Sequence, residues 1–295
     1  MNDLKVLVVY RRTTYEEMLD GSGRNHMQTL KSQNDPIFDR ILLAHESHLS
    51  SMKSIKKVLI EMGIDAVWRY DLSGIIPDNF DLVITIGGDG TVLHASHSID
   101  NTPVLSVNSS PDTSTGYFSA CNESNFKELF EIYLSGGLPV RKLYRMEVRI
   151  NGELVNSRVL NDVLFTNICP ASTTRYMLSC SHNNEDQLSS GVWISTAAGS
   201  TAAVKGAGGR PMDLESKDLQ YIVREPCLGG GSSNPKLPKM VNGIFSNENN
   251  LFLRSRSDDI SLFIDGPHVV IPVKFGDIVT FSSGKSPIYV VGNFT

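Results

Sequence analysis

The sequence lacks the apolar length, the positive charge and the cysteine spacing that would assign it to a membrane, a nucleic acid or a disulfide framework. No apolar run approaches the ~20 residues that cross a bilayer. The opening MNDLKVLVVY moves into charged residues after an apolar run too short for a secretory leader. A formal net charge of -5 argues against a general binder of polyanions, so any phosphate needs a local cationic pocket. The four cysteines, Cys121, Cys169, Cys180 and Cys227, are scattered without a CxxC pair. Neither a zinc site nor a disulfide framework is expected, and a reducing cytoplasm is the expected location. What is present, 40% hydrophobic and 20% charged residues in a chain of 295, suits a globular protein with room for two cores.

The stretch around which the chain is organised is FDLVITIGGDGTVLH, Phe80 to His94. Leu82 to Ile86 is apolar and β-branched, the pattern of a buried strand. It runs into Gly87-Gly88-Asp89-Gly90-Thr91 and then into a segment able to start a helix. Three glycines in four positions are expected to supply positive φ and close backbone approach, and the N–H groups of such a turn suit phosphate. Asp89 is an unsuitable phosphate ligand, since like charges repel. It fits a general base beside a hydroxyl, a ligand of nucleotide-bound Mg²⁺, or a helix N-cap. Thr91 can donate to a phosphate oxygen or cap the helix. The motif resembles one shared by NAD kinases, diacylglycerol and sphingosine kinases and, with Ser for Thr, ATP-dependent phosphofructokinases. All phosphorylate an alcohol.

Val6 to Tyr10 reads as a first strand, with Arg11 and Arg12 at its carboxyl end, either meeting ATP phosphates or lying in a solvated loop. Asp20 to Asp35 is polar and reads as a mobile segment. Apolar residues from Leu49 to Met62 recur at three- and four-residue steps, a helix over His45 to Met62 with Gly63 as its stop. Ile64 to Tyr70 and Val104 to Asn108 read as strands, and Ser124 to Leu134 as a helix capped by Ser124. After Pro139 the texture turns to β. The strand-like runs there include Val192 to Thr196, Asn250 to Leu253, Ile260 to Ile264, Val269 to Val273, Ile278 to Phe281 and Ile288 to Val291. The expected domains are 1–138 and 139–295, leaving open a return of the last dozen residues to the first. GGGSSNPKLP, Gly229 to Pro238, reads as a surface loop or a lid.

Two stretches break the β pattern. Asn161-Asp162 is a polar pair in an otherwise apolar strand, costly unless something hydrogen-bonds it. STAAGSTAA, Ser195 to Ala203, is a small-residue turn that either admits a ligand or packs tightly against a sheet. In order and spacing, GGDGT, the Asn–acid pair and the GST-Ala turn resemble the NAD kinase family. SSGVWISTAAGSTAA and LQYIVREP are most similar to its plant NADH kinase and animal mitochondrial branch. The resemblance implies a Rossmann-like N-terminal α/β domain carrying the GGDGT loop, and a C-terminal all-β, β-sandwich-like domain. It implies Asp89 as the base for the adenosine-ribose 2′-hydroxyl of NAD(H). Gly87, Gly88, Gly90, Thr91, Arg11 and Arg12 are expected on the ATP phosphates. Asn161, Asp162, Ser190, Thr196, Ala198, Ser200, Thr201 and Ala202 are expected on NAD.

Departures from the family pattern matter. Asp162 stands for the common Glu, Ala203 for a Tyr, and Ser190 for an Asp near the nicotinamide end. Losing that last charge removes an attraction for the cationic NAD⁺ ring, and so favours acceptance of NADH. The expected cofactor is Mg²⁺ or another divalent cation carried mainly by the ATP phosphates, with no protein-only metal site. The expected partners are ATP and NAD⁺ or NADH, with a homodimer or higher homo-oligomer, and neither nucleic acid nor membrane. The pairs His45/His48 and His94/His97 read as hydrogen-bonded or solvated rather than metal-binding. A lipid or sugar kinase sharing only the glycine loop, and a non-catalytic dinucleotide sensor, are the alternatives.

Overall fold

The computed structural model describes residues 4–21, 23–70, 72, 74, 79–227 and 238–294. The chain forms two compact units, Met1–Arg141 with Ile288–Thr295, and Lys142–Pro287. The first contains β1 (Val6–Tyr10), α1 (Thr14–Asp20), α2 (Arg24–Ser32), α3 (Pro36–Glu61), β2 (Ala66–Arg69), β3 (Leu82–Gly87), α4 (Asp89–Ser96), β4 (Val104–Asn108), β5 (Cys121–Asn122) and α5 (Phe126–Leu134). After β6 (Val140–Leu143) come β7 (Met146–Ile150), β8 (Glu153–Val159), β9 (Asp162–Asn167), β10 (Thr174–Cys180), β11 (Asn183–Ser189) and β12 (Val192–Ser195). A 3₁₀ turn (Ala198–Thr201) and α6 (Ala203–Gly206) precede β13 (Leu219–Val223), β14 (Asn242–Phe245), β15 (Leu251–Ser255), β16 (Ile260–Ile264), β17 (Val269–Val273) and β18 (Ile278–Ser283). The last strand, β19 (Ile288–Val291), belongs to the first unit. Residues 228–237, most of the expected loop or lid, lie outside the described residues. No helix among the described residues is long and apolar enough to cross a membrane.

In the first unit the sheet order is β2-β1-β3-β4-β19-β6, with β5 beside β4. β1, β3 and β4 pair in parallel, which sets the carboxyl ends of β1 and β3 side by side. All six residues of β3 are buried, which is why an apolar run without alternation forms the centre of a covered parallel sheet. α3 buries His48, Ser51, Ile55 and Leu59, one stripe at helical spacing. Its start lies further upstream than the apolar periodicity suggests, because the Asp35 carboxylate accepts the Ile37 N–H at 2.9 Å and Pro36 suits the first turn. It stops in a Schellman turn at Gly63, φ +71°, where Ile64 N–H reaches Leu59 C=O and Gly63 N–H reaches Ile60 C=O. Where a mobile segment was expected, α2 forms instead, anchored by buried Met27 and Leu30. α5 begins after Asn125 rather than Ser124, with Phe126 and Phe130 stacked at 5.3 Å in the core.

The second unit is two six-stranded antiparallel sheets, β11-β10-β15-β18-β7-β8 and β14-β13-β12-β9-β16-β17. Period-two alternation in β10 and β15 buries Tyr176, Leu178, Leu251 and Leu253 and leaves Phe252 and Arg254 outside. Val163, Phe165, Ile194 and Leu262 of the other sheet share their core, and Phe165 meets Tyr176 edge-on at 5.3 Å.

Candidate functional site

In the first unit, β3 ends at Gly87 and α4 starts at Asp89, with Gly88 as an N-cap that has no side chain to offer. None of Gly87, Gly88 and Gly90 has positive φ, contrary to the expectation from sequence. The requirement is for space. A Cβ at Gly87 would lie 2.1 Å from Thr91 Oγ1, and one at Gly88 would lie 2.6 Å from Ser114 Oγ. At Gly90 a Cβ would meet only Arg11 Nη1, at 3.4 Å. The turn therefore packs its first two glycines tightly and leaves the third open beside a cation.

Asp89 is half-buried, and both carboxylate oxygens accept backbone N–H groups, from Tyr117 at 3.0 Å and Phe118 at 2.9 Å. Each oxygen has spent one lone pair and keeps one, so the group is aimed yet still able to accept a proton or a hydroxyl hydrogen bond. Its position in the first turn also suits the helix dipole. Asp89 is not itself the N-cap.

A cleft of about 510 Å³ opens on the same turn, bounded by Gly87, Gly88, Gly90 and Thr91 and by Arg11, Arg12 and Arg40. Asp89 is not part of its wall. Arg12 is ion-paired to Asp20, so Arg11 is the more available of the two predicted cations. Sequence reasoning missed Arg40, which α3 carries to the cleft. His45 and His48 line it too. His45 Nδ1 bonds Thr13 Oγ1 at 2.8 Å, and its ring stacks on Tyr15. His48 Nδ1 bonds Ser109 Oγ at 2.8 Å, and burial holds its pKa below the ordinary histidine value. No group of three metal-ligating side chains occurs among the described residues.

The second constellation lies where β9 begins. Asp162 is 6% exposed, and its pKa is pushed up to about 7, by burial first and the Asp265 carboxylate second. Asn161 Oδ1 is buried without a hydrogen-bond partner among the described residues. The 3₁₀ turn packs directly on this pair. Thr196 N–H donates to Asn161 C=O at 2.9 Å, Thr196 Oγ1 bonds Leu160 C=O, and a Cβ on Gly199 would lie 2.1 Å from Asn161 O. Ser200 donates to Ala197 C=O at 2.7 Å and accepts the Met212 N–H at 2.9 Å. The hydroxyls of Thr196 and Ser200 are thus spent on backbone, and Ala198 is buried, whereas Thr201 is half-buried and Ala202 exposed.

Ser190 is not brought to this pair. β12 sets Ser195, not Ser190, opposite Asp162, and Ser190 lies before the other end of that strand. There its C=O accepts from Thr166 and its N–H donates to Arg224 C=O. Asp265, which was not among the expected site residues, touches the pair directly. Its two oxygens accept the N–H groups of Leu160, Asn161 and Asp162 at 2.7 to 3.0 Å.

The profile of the ATP-NAD kinase N-terminal domain matches residues 8–138. The chain is 32% identical over 268 residues to a probable NADH kinase of rice, covering 83% of this chain and 81% of that one. It is 35% identical over 261 residues to an NADH kinase of Arabidopsis thaliana, covering 80% of each. Among solved structures it superposes on an NAD kinase of Archaeoglobus fulgidus in complex with ATP, with a TM-score of 0.66, 16% identity and coverage of 99% and 93%. It also superposes on yeast NADH kinase complexed with NADH, with a TM-score of 0.67, 16% identity and coverage of 99% and 84%. At that identity the superpositions speak for the fold.

Proposed function

The chain belongs to the NAD kinase family, and from that premise we propose that it transfers the γ-phosphoryl group of ATP to the adenosine-ribose 2′-hydroxyl of NAD⁺ or NADH, with Asp89 as general base. The observation that carries the assignment of Asp89 is its carboxylate, aimed by the Tyr117 and Phe118 N–H groups at the glycine turn, with a lone pair unspent on each oxygen. A carboxylate so held takes the hydroxyl proton as the oxygen bonds to the γ-phosphorus and the bond to the ADP oxygen breaks. In the cleft, Arg11 and Arg40 supply local positive charge within a net-negative chain, and the start of α4 at this turn supplies backbone N–H groups suited to a phosphate. Arg12, held by Asp20, has a lesser share.

The residues fit a divalent cation carried by the nucleotide, since one carboxylate, Asp89, stands at the glycine turn. When bound, Mg²⁺ neutralises charge on the β- and γ-phosphate oxygens. Asn161 and Asp162 hold the adenosine portion of the dinucleotide; the buried, unpaired Asn161 Oδ1 supports this, since a ligand donor would satisfy it. Thr201 and Ala202 border the same substrate, while Thr196, Ala198 and Ser200 shape the turn beneath it. Ser190, which carries no negative charge to attract the cationic NAD⁺ ring, leaves NADH tolerated or preferred. Four free cysteines, two of them buried, support a reducing cytoplasm, and the family resemblance supports a homodimer or higher oligomer.

The test is NADP(H) formation from ATP and Mg²⁺ with NAD⁺ and NADH in separate reactions, beside Asp89→Asn. The variant should lose about 10²–10⁴-fold in kcat. Because Asn turns an N–H toward one of two backbone donors, it should also melt somewhat lower, an unpaired donor costing about 1–3 kcal/mol. Near-normal turnover in the variant would remove Asp89 from the chemistry.

A further inference from the structure

We propose that Asp265 is a positioning residue of the dinucleotide site, a clamp that fixes the backbone at 160–162 so that the Asn161 amide and the Asp162 carboxyl point at the substrate. The proposal rests on the reading that this pair holds the adenosine portion of NAD(H).

The geometry is specific. One oxygen of Asp265 accepts the Leu160 N–H at 2.8 Å, and the other accepts those of Asn161 at 2.7 Å and Asp162 at 3.0 Å. The Asp265 N–H returns a bond to Asp162 C=O at 2.9 Å. Three consecutive backbone donors converging on one carboxylate form an anion nest, except that the anion is the protein's own side chain. Asp265 opens the β16–β17 turn with φ +49°, an uncommon conformation for a residue other than glycine, and Gly266 follows at φ +110°. From the opposite side, Thr196 bonds the carbonyls of Leu160 and Asn161. Asp265 thus holds the three N–H groups and the Asp162 C=O, while Thr196 holds the C=O groups of Leu160 and Asn161. This leaves Asn161 Oδ1 without a protein partner and Asp162 with no hydrogen bond to its carboxyl among the described residues.

The clamp carries charge as well as shape. The residue paired with Asp162 on β12 is the neutral Ser195, whose hydroxyl bonds backbone carbonyls, and the charged neighbour that perturbs Asp162 is Asp265. Removing that charge makes ionisation of Asp162 easier and moves its titration to lower pH.

The experiment compares Asp265→Asn, Asp265→Glu and Asn161→Ala with the unmodified protein, reading KM for NADH and for ATP, kcat, the pH dependence of KM for NADH, and melting temperature. Asp265→Asn loses one clamp bond and the charge. Its KM for NADH should rise about tenfold, with kcat and KM for ATP within about twofold. The midpoint of its pH profile should move down. Asp265→Glu keeps the charge but misplaces the acceptor by a methylene, so KM should rise with the midpoint unmoved; this variant carries the test should Asp265→Asn not fold. If Asn161→Ala raises KM for NADH while both Asp265 variants leave KM and the pH midpoint unchanged, the clamp is refuted and the reading of the pair survives. If Asn161→Ala leaves KM for NADH unchanged, the reading itself fails, and the clamp fails with it. A lower melting temperature alone, with KM and pH profile unchanged, reduces Asp265 to a structural residue and overturns the proposal.

Discussion

Replacing Asp162 by Asn should change how the stability of the protein depends on pH. The carboxyl titrates near 3.8 when solvated and at about 7 in the folded protein, because burial at 6% exposure and the Asp265 charge both oppose ionisation. A gap of about three pH units, at about 1.4 kcal/mol each, is about 4 kcal/mol, an upper bound since water reaching the site would relieve part of it. The sign follows from linkage. A folded pKa raised above the unfolded one means that the folded state holds the proton more tightly. The contribution is therefore fully present below about pH 3.8 and is lost as pH rises through about 7. Asn cannot titrate. Urea denaturation of both proteins from about pH 4 to about pH 8 should thus show the variant gaining on the parent by up to about 4 kcal/mol across that window. Any constant cost of the amide drops out, because only the slope of the difference is read, and the other carboxylates titrate in both proteins. A difference that stays flat with pH would mean that Asp162 is ionised throughout. The buried-carboxyl argument, and the charge part of the Asp265 proposal, would then be wrong.

Gly87→Ala forces a Cβ to 2.1 Å from Thr91 Oγ1, so the loop must shift; a lower melting temperature, about 1–3 kcal/mol of lost stability and a higher KM for ATP are expected from thermal melts and steady-state kinetics. Gly199→Ala sets a Cβ at 2.1 Å from Asn161 O and should raise KM for NAD(H) while sparing KM for ATP, which a two-substrate kinetic matrix would resolve. Ser190→Asp places a negative charge at a half-buried position, an attraction worth about 1 kcal/mol; competition between the two dinucleotides should move about fivefold toward NAD⁺, and an unchanged ratio would detach Ser190 from nicotinamide selection.

Legibility in the sequence followed burial. β1, β3, β4, β16 and β19 stand out as apolar runs because each contributes mostly buried side chains, whereas β17 is apolar with only Val273 buried. β11 does not, since NNEDQLS is an edge strand with only Gln187 and Ser189 buried, and its pairing with β10 is what makes it a strand. α2 was hidden for a similar reason. Two buried residues in nine, Met27 and Leu30, give too little periodicity to separate a surface helix from a polar loop.

At the site, what could be read was what is locally costly. Glycines framing an acid, and an Asn–Asp pair inside a strand, both cost free energy unless something nearby compensates, and both stand where the structure crowds the backbone or leaves a polar atom unpaired. Why the cost is borne was less legible. The loop glycines suggested positive φ, yet their need is for room against Thr91 and Ser114, partners that no local pattern names. Arg40 reaches the cleft only because α3 folds across it, and Asp265 grips a backbone 103 to 105 residues away in sequence. A local pattern therefore exposes a position that demands compensation, but the compensating group is supplied by topology. For that reason the second carboxylate, Asp265, which no local pattern singles out, is the one whose removal most directly tests how the first is held.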